Sequence, residues 1–265
     1  MHPTSFWIYY GLKMSNISVS VITVSYNSVK TIYDTINSVL TQTYPNIEYI
    51  IVDGSSSDGT VELIKSYGTK ISKFISEPDT GIYDAINKGI KIATGDIVGI
   101  INSDDFFYTN DVIEKVVRSF CDNEIDAVIG AVRFVDPINT SKIVRYFSSK
   151  KFKPWRFKYG FMPAHPSFYT KRELFEKFGY YKTDYKIGAD FELLIRFLYI
   201  NRIKYMYLEM PFLSMRMGGV SNRSLHSKCI LNKEIYRACK ENGLKTNYFL
   251  LYFKYFIKMF EFFGN

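Results

Sequence analysis

Four short runs of β-branched and apolar residues, three of them followed by a helical pattern, constrain this chain more than anything else in it. The first covers residues 17–26 and ends at Asn27-Ser28. The second covers 47–52 and stops at Asp53. The third, at 74–77, is short. The fourth, 97–101, runs into Asn102-Ser103-Asp104-Asp105. Between them, residues 29–41 place Ile32, Ile36, Val39 and Leu40 on one helical face. A second helix starts near Thr60 with Val61, Leu63 and Ile64, and a third covers 84–93 before Gly95 stops it. This βαβαβαβ alternation predicts a mostly parallel sheet with helices on both faces. Ligands of such sheets sit beyond the carboxyl ends of the strands. Tyr26, Asn27, Asp53, Asp104 and Asp105 all fall at such ends and are predicted to share one crevice.

Asp104 and Asp105 arrive together where the fourth run stops. Adjacent carboxylates repel, and a hard divalent cation would offset the repulsion, because Mg²⁺ and Mn²⁺ take oxygen ligands and share their shells with phosphates. The same pair equally suits a cap for the helical pattern at 112–120. On the pair alone both readings stand.

The second half predicts a strand at 127–135, a turn of proline-flanked His165, a short helix at about 171–178, an apolar helix from Gly188-Ala189-Asp190 through Tyr199, and a strand at 204–208. A turn at 217–221 and further helix follow. No repeat or Pro/Gly/Ser linker divides the chain. The expected organisation is a catalytic unit over 14–221, with halves at about 17–105 and 106–221, then C-terminal helices over 222–265. Residues 1–13 are expected to be a loosely held extension, with Met14 as the alternative start. Charge is uneven. The chain carries +8, yet residues 142–182 hold eleven Lys/Arg against Glu173 and Glu176. That segment suggests an anionic partner, or a solvated loop. Cys121, Cys229 and Cys239 form no CxxC or zinc spacing, which fits a reducing cytoplasm.

Eight motifs then occur in order: Val24-Ser25-Tyr26-Asn27, residues 51–60 around Asp53 and Asp58, residues 77–89 around Asp84 and Asn87, residues 93–96, Asn102-Ser103-Asp104-Asp105, His165, Gly188-Ala189-Asp190 and Gly218-Gly219-Val220-Ser221. Together they resemble family 2 glycosyltransferases of the GT-A fold, of the bacterial polysaccharide type, over residues 17–221. The resemblance implies an inverting transfer of a hexose or N-acetylhexosamine from a UDP-sugar, assisted by Mn²⁺ or Mg²⁺.

It also implies roles. Asp53 would accept from a uracil N3–H, an acceptor-only group suited to that donor, or else cap the next helix. The backbone around Thr23 and Tyr26-Asn27 would line the base pocket. Asp84 and Asn87, three apart on one helix, would lie near the donor sugar and diphosphate, with a buried helix–helix polar contact as the other reading of Asn87. Asp105 would hold the metal and Asp104 would lie nearer the ribose or sugar; Ser103 replaces the first acid of the family motif. Asp190 would be the general base, or a helix N-cap, with Glu192 the alternative base. His165 would touch diphosphate or acceptor, and Arg216 would clamp the diphosphate beside a mobile glycine loop.

Residues 247–263 carry nine Tyr/Phe, with Lys254, Lys258 and Glu261 on one helical face. A core helix is the plain reading. An interfacial helix on the inner face of the plasma membrane is the other, and it suits an acceptor carried on a polyprenyl diphosphate, with the basic segment beside it. No nucleic acid is expected as a partner. A nucleotidyltransferase of the sugar-nucleotide pyrophosphorylase type and a nucleic-acid-binding module are the competing classes. The first lacks its glycine-rich loop after strand one, and the second lacks any recognisable motif.

Overall fold

A computed structural model describes residues 17–218 and 225–253. The expected extension at 1–13, the loop glycine Gly219 with Val220 and Ser221, and the aromatic stretch after 253 lie outside those residues.

The strands are β1 (Val19–Ser25), β2 (Ile47–Asp53), β3 (Lys73–Ser76), β4 (Ile97–Asn102), β5 (Asp105–Phe107), β6 (Ala127–Val135), β7 (Ile143–Phe147), β8 (Phe168–Lys171) and β9 (Tyr205–Arg216). The helices are α1 (Ile32–Leu40), α2 (Thr60–Lys65), α3 (Ile82–Ile92), α4 (Val112–Asp122), α5 (Glu173–Phe178), α6 (Ala189–Leu194, continued by a π-helical turn at Ile195–Ile200) and α7 (Leu225–Glu241). One sheet runs β3-β2-β1-β4-β8-β6-β9-β5, with β7 on the free part of β6. It is parallel across β3-β2-β1-β4 and at β6-β9, and antiparallel where β8, β7 and β5 join. The predicted parallel sheet is therefore the first half, and the whole is mixed.

Strand periodicity builds two cores. Ile22, Val24, Ile50 and Val52 face Ile86 and Ile90 of α3. The alternate residues Val19, Val21, Tyr49 and Ile51 face Ile32, Ile36 and Val39 of α1, with Ile113, Val116 and Val117 of α4 on the same layer. Each fully buried Ile or Val adds about 1.5–3 kcal/mol by leaving water. Gly99 interrupts β4 because the Tyr169 ring of β8 lies across it, where a Cβ would come within 1.9 Å.

Two elements differ from expectation. β9 continues well past residue 208, through Pro211. The sheet tolerates that proline because the β6–β9 register shifts on either side of Ala131, its partner. Part of the basic segment is β7, an exposed edge strand whose charges suit an unpaired edge.

Glu48 ties β2 to β1, β3 and the start of β4. It accepts from Ser20 Oγ (2.5 Å), Thr94 N and Thr94 Oγ1 (both 2.8 Å), and lies 2.6 Å from Lys73 Nζ. Burial alone would raise its carboxyl, but bonds from Lys73, Ser20 and Thr94 outweigh that and hold it at about 2 against an ordinary 4.5. An acid depressed on folding stabilises the fold above its unfolded value and loses that contribution as pH falls towards its folded one. Glu48→Gln is expected to cost about 1–2 kcal/mol at pH 7, discounted for the partly exposed lysine. In thermal melts the gap to wild type should close between about pH 4.5 and 2; a gap unchanged down to pH 2 would remove Glu48 from this account.

Candidate active site

Hydroxyls and amides lace the ends of β1, β2 and β4 together. Asn27 adopts φ 48°, a left-handed position Asn tolerates. Its N–H donates to Ser56 Oγ (2.8 Å) and its Oδ1 accepts from Ser57 N (3.0 Å). Ser28 Oγ lies 2.7 Å from Ser103 Oγ. Asp58 accepts from Thr60 N, the first N–H of α2, and from Val29 N (both 3.1 Å), while Gly59 fills the N-cap.

Asp53 does not reach the crevice. It is 0% exposed. Oδ1 accepts from Ser25 Oγ (2.9 Å) and Ser56 Oγ (2.5 Å), and Oδ2 from Ser56 N (2.8 Å) and Ser76 Oγ (2.9 Å). With four donors on a buried carboxylate, its acceptor sites are used inside the protein. Thr23 is likewise fully buried, with Oγ1 3.1 Å from the Tyr49 hydroxyl. Of the expected base pocket, Tyr26 is in place, 67% exposed at the end of β1.

The carboxylate that does stand at this rim is Asp79, which the sequence reading passed over. Its Oδ1 accepts from Gly81 N (2.9 Å), and its Oδ2 lies where a Cβ on Gly54 would be, 2.4 Å away. The same Cβ would be 3.4 Å from the Tyr26 ring. Gly54 therefore lets an aromatic face and an acceptor-only group stand side by side.

Next along the rim, Asp84 accepts from Thr80 N (3.1 Å) and pairs with Lys88, holding the start of α3. Asn87 is buried and does not contact the donor face. Its Nδ2 donates to the Tyr181 carbonyl (2.8 Å) and its Oδ1 accepts from Tyr181 N (3.0 Å), so the contact is buried and polar but made to the loop at Tyr181, not to a second helix.

Asp104 and Asp105 diverge because β5 begins between them and successive strand residues face opposite sides. Asp105 is 1% exposed, and its Oδ2 is buried without a hydrogen-bond partner. Burial first, and then the neighbouring Asp104 charge, push its carboxyl well above the usual range. Asp104 is partly exposed; burial raises its carboxyl too, against a smaller opposing pull from its own backbone N–H and from Arg216. Asp104 is the carboxylate open to the crevice and Asp105 stands buried behind it. Arg216 is not a free clamp either. Its Nη1 donates to the Asp104 carbonyl (2.7 Å), its Nη2 pairs with Asp34, and its guanidinium covers the Phe106 ring at 5.1 Å.

Asp190 lies in the first turn of α6, two residues past the capping position, which Gly188 fills. It is 8% exposed. Oδ1 accepts from Phe191 N (2.8 Å), and Oδ2 is 3.0 Å from His165 Nδ1. His165 precedes β8, which runs antiparallel to β4 with Ile97 opposite Lys171 and Val98 opposite Thr170. Because β8 runs antiparallel to β4, the turn at His165–Ser167 that precedes it lies on the sheet edge where β4 ends, the edge that carries Asp104. Glu192 is no alternative base. It is fully buried, bound by Arg196 Nε (2.9 and 3.0 Å) and lies 3.0 Å from Lys182 Nζ.

Much of the basic segment is spent on ion pairs: Lys150 with Glu209, Lys171 with Asp126, Arg172 with Glu176 and Lys182 with Glu241. The turn Pro154–Tyr159 differs. Trp155 points outward among Lys151, Lys153, Arg156 and Lys158. Thr246 Oγ1 donates to the Lys158 carbonyl (2.6 Å), joining this turn to the helical residues 248–253, where Phe249 is 76% exposed and stacks on Phe253. No described helix is long and apolar enough to cross a membrane.

The model of a family described as glycosyl transferase family 2 matches residues 20–184. The chain is 31% identical over 189 residues to an uncharacterized glycosyltransferase of Mycobacterium tuberculosis (strain CDC 1551 / Oshkosh), covering 68% of each. Among solved structures, S. aureus TarS superposes with a TM-score of 0.65 at 19% identity, over 84% of this chain and 44% of that one. TarS 1-349 has been solved in complex with UDP-GlcNAc. A mannosyltransferase from Pyrobaculum calidifontis, in complex with GDP-Man and Mn2+, superposes with a TM-score of 0.57 at 20% identity, over 90% of this chain and 71% of that one. At these identities the structures share the fold.

Proposed function

Because this chain belongs to glycosyltransferase family 2, we propose that it moves a hexose or N-acetylhexosamine from a UDP-sugar to a sugar acceptor on a polyprenyl diphosphate, with inversion, in surface-polysaccharide assembly. The family membership replaces both the nucleotidyltransferase and the nucleic-acid-binding readings. The observation that carries the proposal is the single rim on which Tyr26 with Asp79, then Asp104, then Asp190 with His165 follow one another.

In this reading the base lies on Tyr26, and Asp79 takes over the part expected of Asp53, accepting from the imide N–H. A carboxylate has only acceptors to offer and rejects a base that presents a bare ring nitrogen there. The pair at 104–105 fits a divalent cation: an orphaned buried oxygen on Asp105 stands behind a partly exposed Asp104. Among the described residues no three His, Cys, Asp or Glu converge on a point, so such an ion would complete its shell with donor phosphates and water, as Mg²⁺ commonly does. When bound, Mn²⁺ or Mg²⁺ supplies positive charge for the departing diphosphate. Asp190 takes the acceptor hydroxyl proton as that oxygen bonds to the anomeric carbon and the carbon–oxygen bond to the β-phosphate breaks. His165, 3.0 Å away, orients the carboxylate and steadies it. Arg216 fixes the backbone of Asp104 rather than the diphosphate.

A lipid-borne acceptor fits the outward Trp155 among basic residues and the exposed Phe249–Phe253 pair beside it.

Thermal shift with UDP, GDP and CDP, each with and without Mn²⁺, tests the donor. UDP with Mn²⁺ is expected to stabilise most; no metal-dependent shift with any nucleotide would remove the proposal. Asp79→Asn places an amide N–H₂ where the imide N–H must go. It is expected to raise the donor KM about 10-fold, the scale of one charge-assisted bond, while the corresponding change at Asp53 acts on Tm instead. An unchanged donor KM would take Asp79 out of the base pocket.

A further inference from the structure

The segment that delivers Asp190 is suspended from both sides of the molecule. At residue 181 it is held by both amide atoms of Asn87, as described above. At Ile187 its carbonyl accepts from the hydroxyl of Tyr83 in the same helix α3. Opposite, Glu234 of α7 reaches in, 9% exposed. Its Oε1 accepts from Lys186 N (2.7 Å), and its Oε2 from Ile187 N (2.9 Å) and Gly188 N (2.8 Å). Three successive backbone N–H groups converging on one carboxylate form an anion-binding concavity, here filled by the protein's own acid. Gly188 makes the approach possible, since a Cβ there would sit 3.2 Å from Glu234 Cβ. Two residues later comes Asp190.

We propose that Glu234 is a positioning residue for the reaction: it fixes the backbone of 186–188 and thereby the place and direction of the Asp190 carboxylate. Helix α7 lies beyond the segment that the family model matches, as do residues 186–188 and Asp190 itself. The inference rests on Asp190 being the base. The charge-assisted bonds are strong for their kind, and catalysis is steep in geometry: displacement of a reacting group by about 1 Å can cost about 100-fold.

Glu234→Gln keeps one acceptor oxygen and turns N–H donors against the remaining backbone N–H groups. It is expected to lower kcat for transfer about 10–100-fold with donor KM within about twofold. Glu234→Asp keeps the charge and withdraws it by one methylene; it should show the kcat loss with a smaller change in Tm, which separates rate from folding. Glu48→Gln, at the opposite end of the sheet, weakens the bonds to Lys73, Ser20 and Thr94 and should lower Tm while leaving kcat within about twofold. The deciding measurement combines variants. If Glu234 acts through Asp190, adding Glu234→Gln to Asp190→Asn slows the residual rate by less than about twofold. A full repeat of the loss in that background overturns the proposal, as does wild-type kcat in Glu234→Gln or an equal kcat loss in Glu48→Gln. If Asp190→Asn itself turns over normally, it is the base assignment that has failed. A slow Asp190→Asn beside a normal Glu234→Gln sinks only the positioning role.

Discussion

Asp190→Asn is expected to lower transfer by about 10²–10⁴-fold, the usual contribution of a general base, while UDP with Mn²⁺ still stabilises the variant as it does wild type. Asparagine keeps the shape and can still accept from Phe191 N through its Oδ1, so the local backbone has no reason to move. What it loses is the capacity to take a proton beside His165. Because Gly188 fills the N-cap, the substitution removes no cap and should shift Tm by little. An Asp serving only the helix would behave oppositely, with Tm lowered by the equivalent of about 1 kcal/mol and rate preserved. Initial rates with a UDP-sugar and a lipid-diphosphate acceptor, read beside melts of the same preparation, separate the two. Turnover near the wild-type rate would show that the proton goes elsewhere.

The strands and helices of the first half were legible because helical periodicity is local, and because β1, β2 and most of β4 are apolar runs buried on both faces. Individual site residues were legible only where their surroundings were local as well. Asp53 shows the limit. Register pairs it with Ser25 on β1 and with Ser76 on β3, so two hydroxyls flank it from neighbouring strands while Ser56 closes from its own loop. Nothing in the order of residues gives that register. Gly54 and Asp79 are 25 residues apart, and their contact exists only once β2 and β3 are paired. A signal was present: Gly directly follows Asp53, which is where a backbone makes room for a neighbour. Asp190 and Glu192 look interchangeable in the sequence, but two residues on a helix face different sides, and that offset sends Glu192 to Arg196 and Asp190 to His165. The end of β9 was illegible for a different reason. Pro211 signals a strand end, and only the bulge in its partner strand cancels that signal.

The carboxylate pair is the sharpest place where identical residues must be told apart. Asp104→Asn is expected to abolish Mn²⁺-dependent stabilisation by UDP and to lower transfer by about 10²–10³-fold, the scale of losing one preorganised charge contact to the leaving group. Asp105→Asn should leave more activity, within about 10-fold of wild type, because the buried side chain reaches the crevice only through its neighbour. Its larger effect falls on the metal-free protein. A buried carboxylate with one oxygen left without a partner costs stability, so Asp105→Asn should hold or raise Tm at pH 7 when chelator is present. The pH dependence has a definite sign. Burial and the Asp104 charge raise the Asp105 carboxyl in the folded state, so the native protein binds that proton more tightly than the unfolded chain does. The ionised residue therefore destabilises the fold at neutral pH, and this cost fades as pH falls through the raised folded value. Melts in chelator should show the advantage of Asp105→Asn shrinking on acidification. With Mn²⁺ and UDP present wild type should gain stability that Asp104→Asn does not. If instead Asp105→Asn loses the metal response and Asp104→Asn keeps it, the cation sits on Asp105 and the loop must open to admit it.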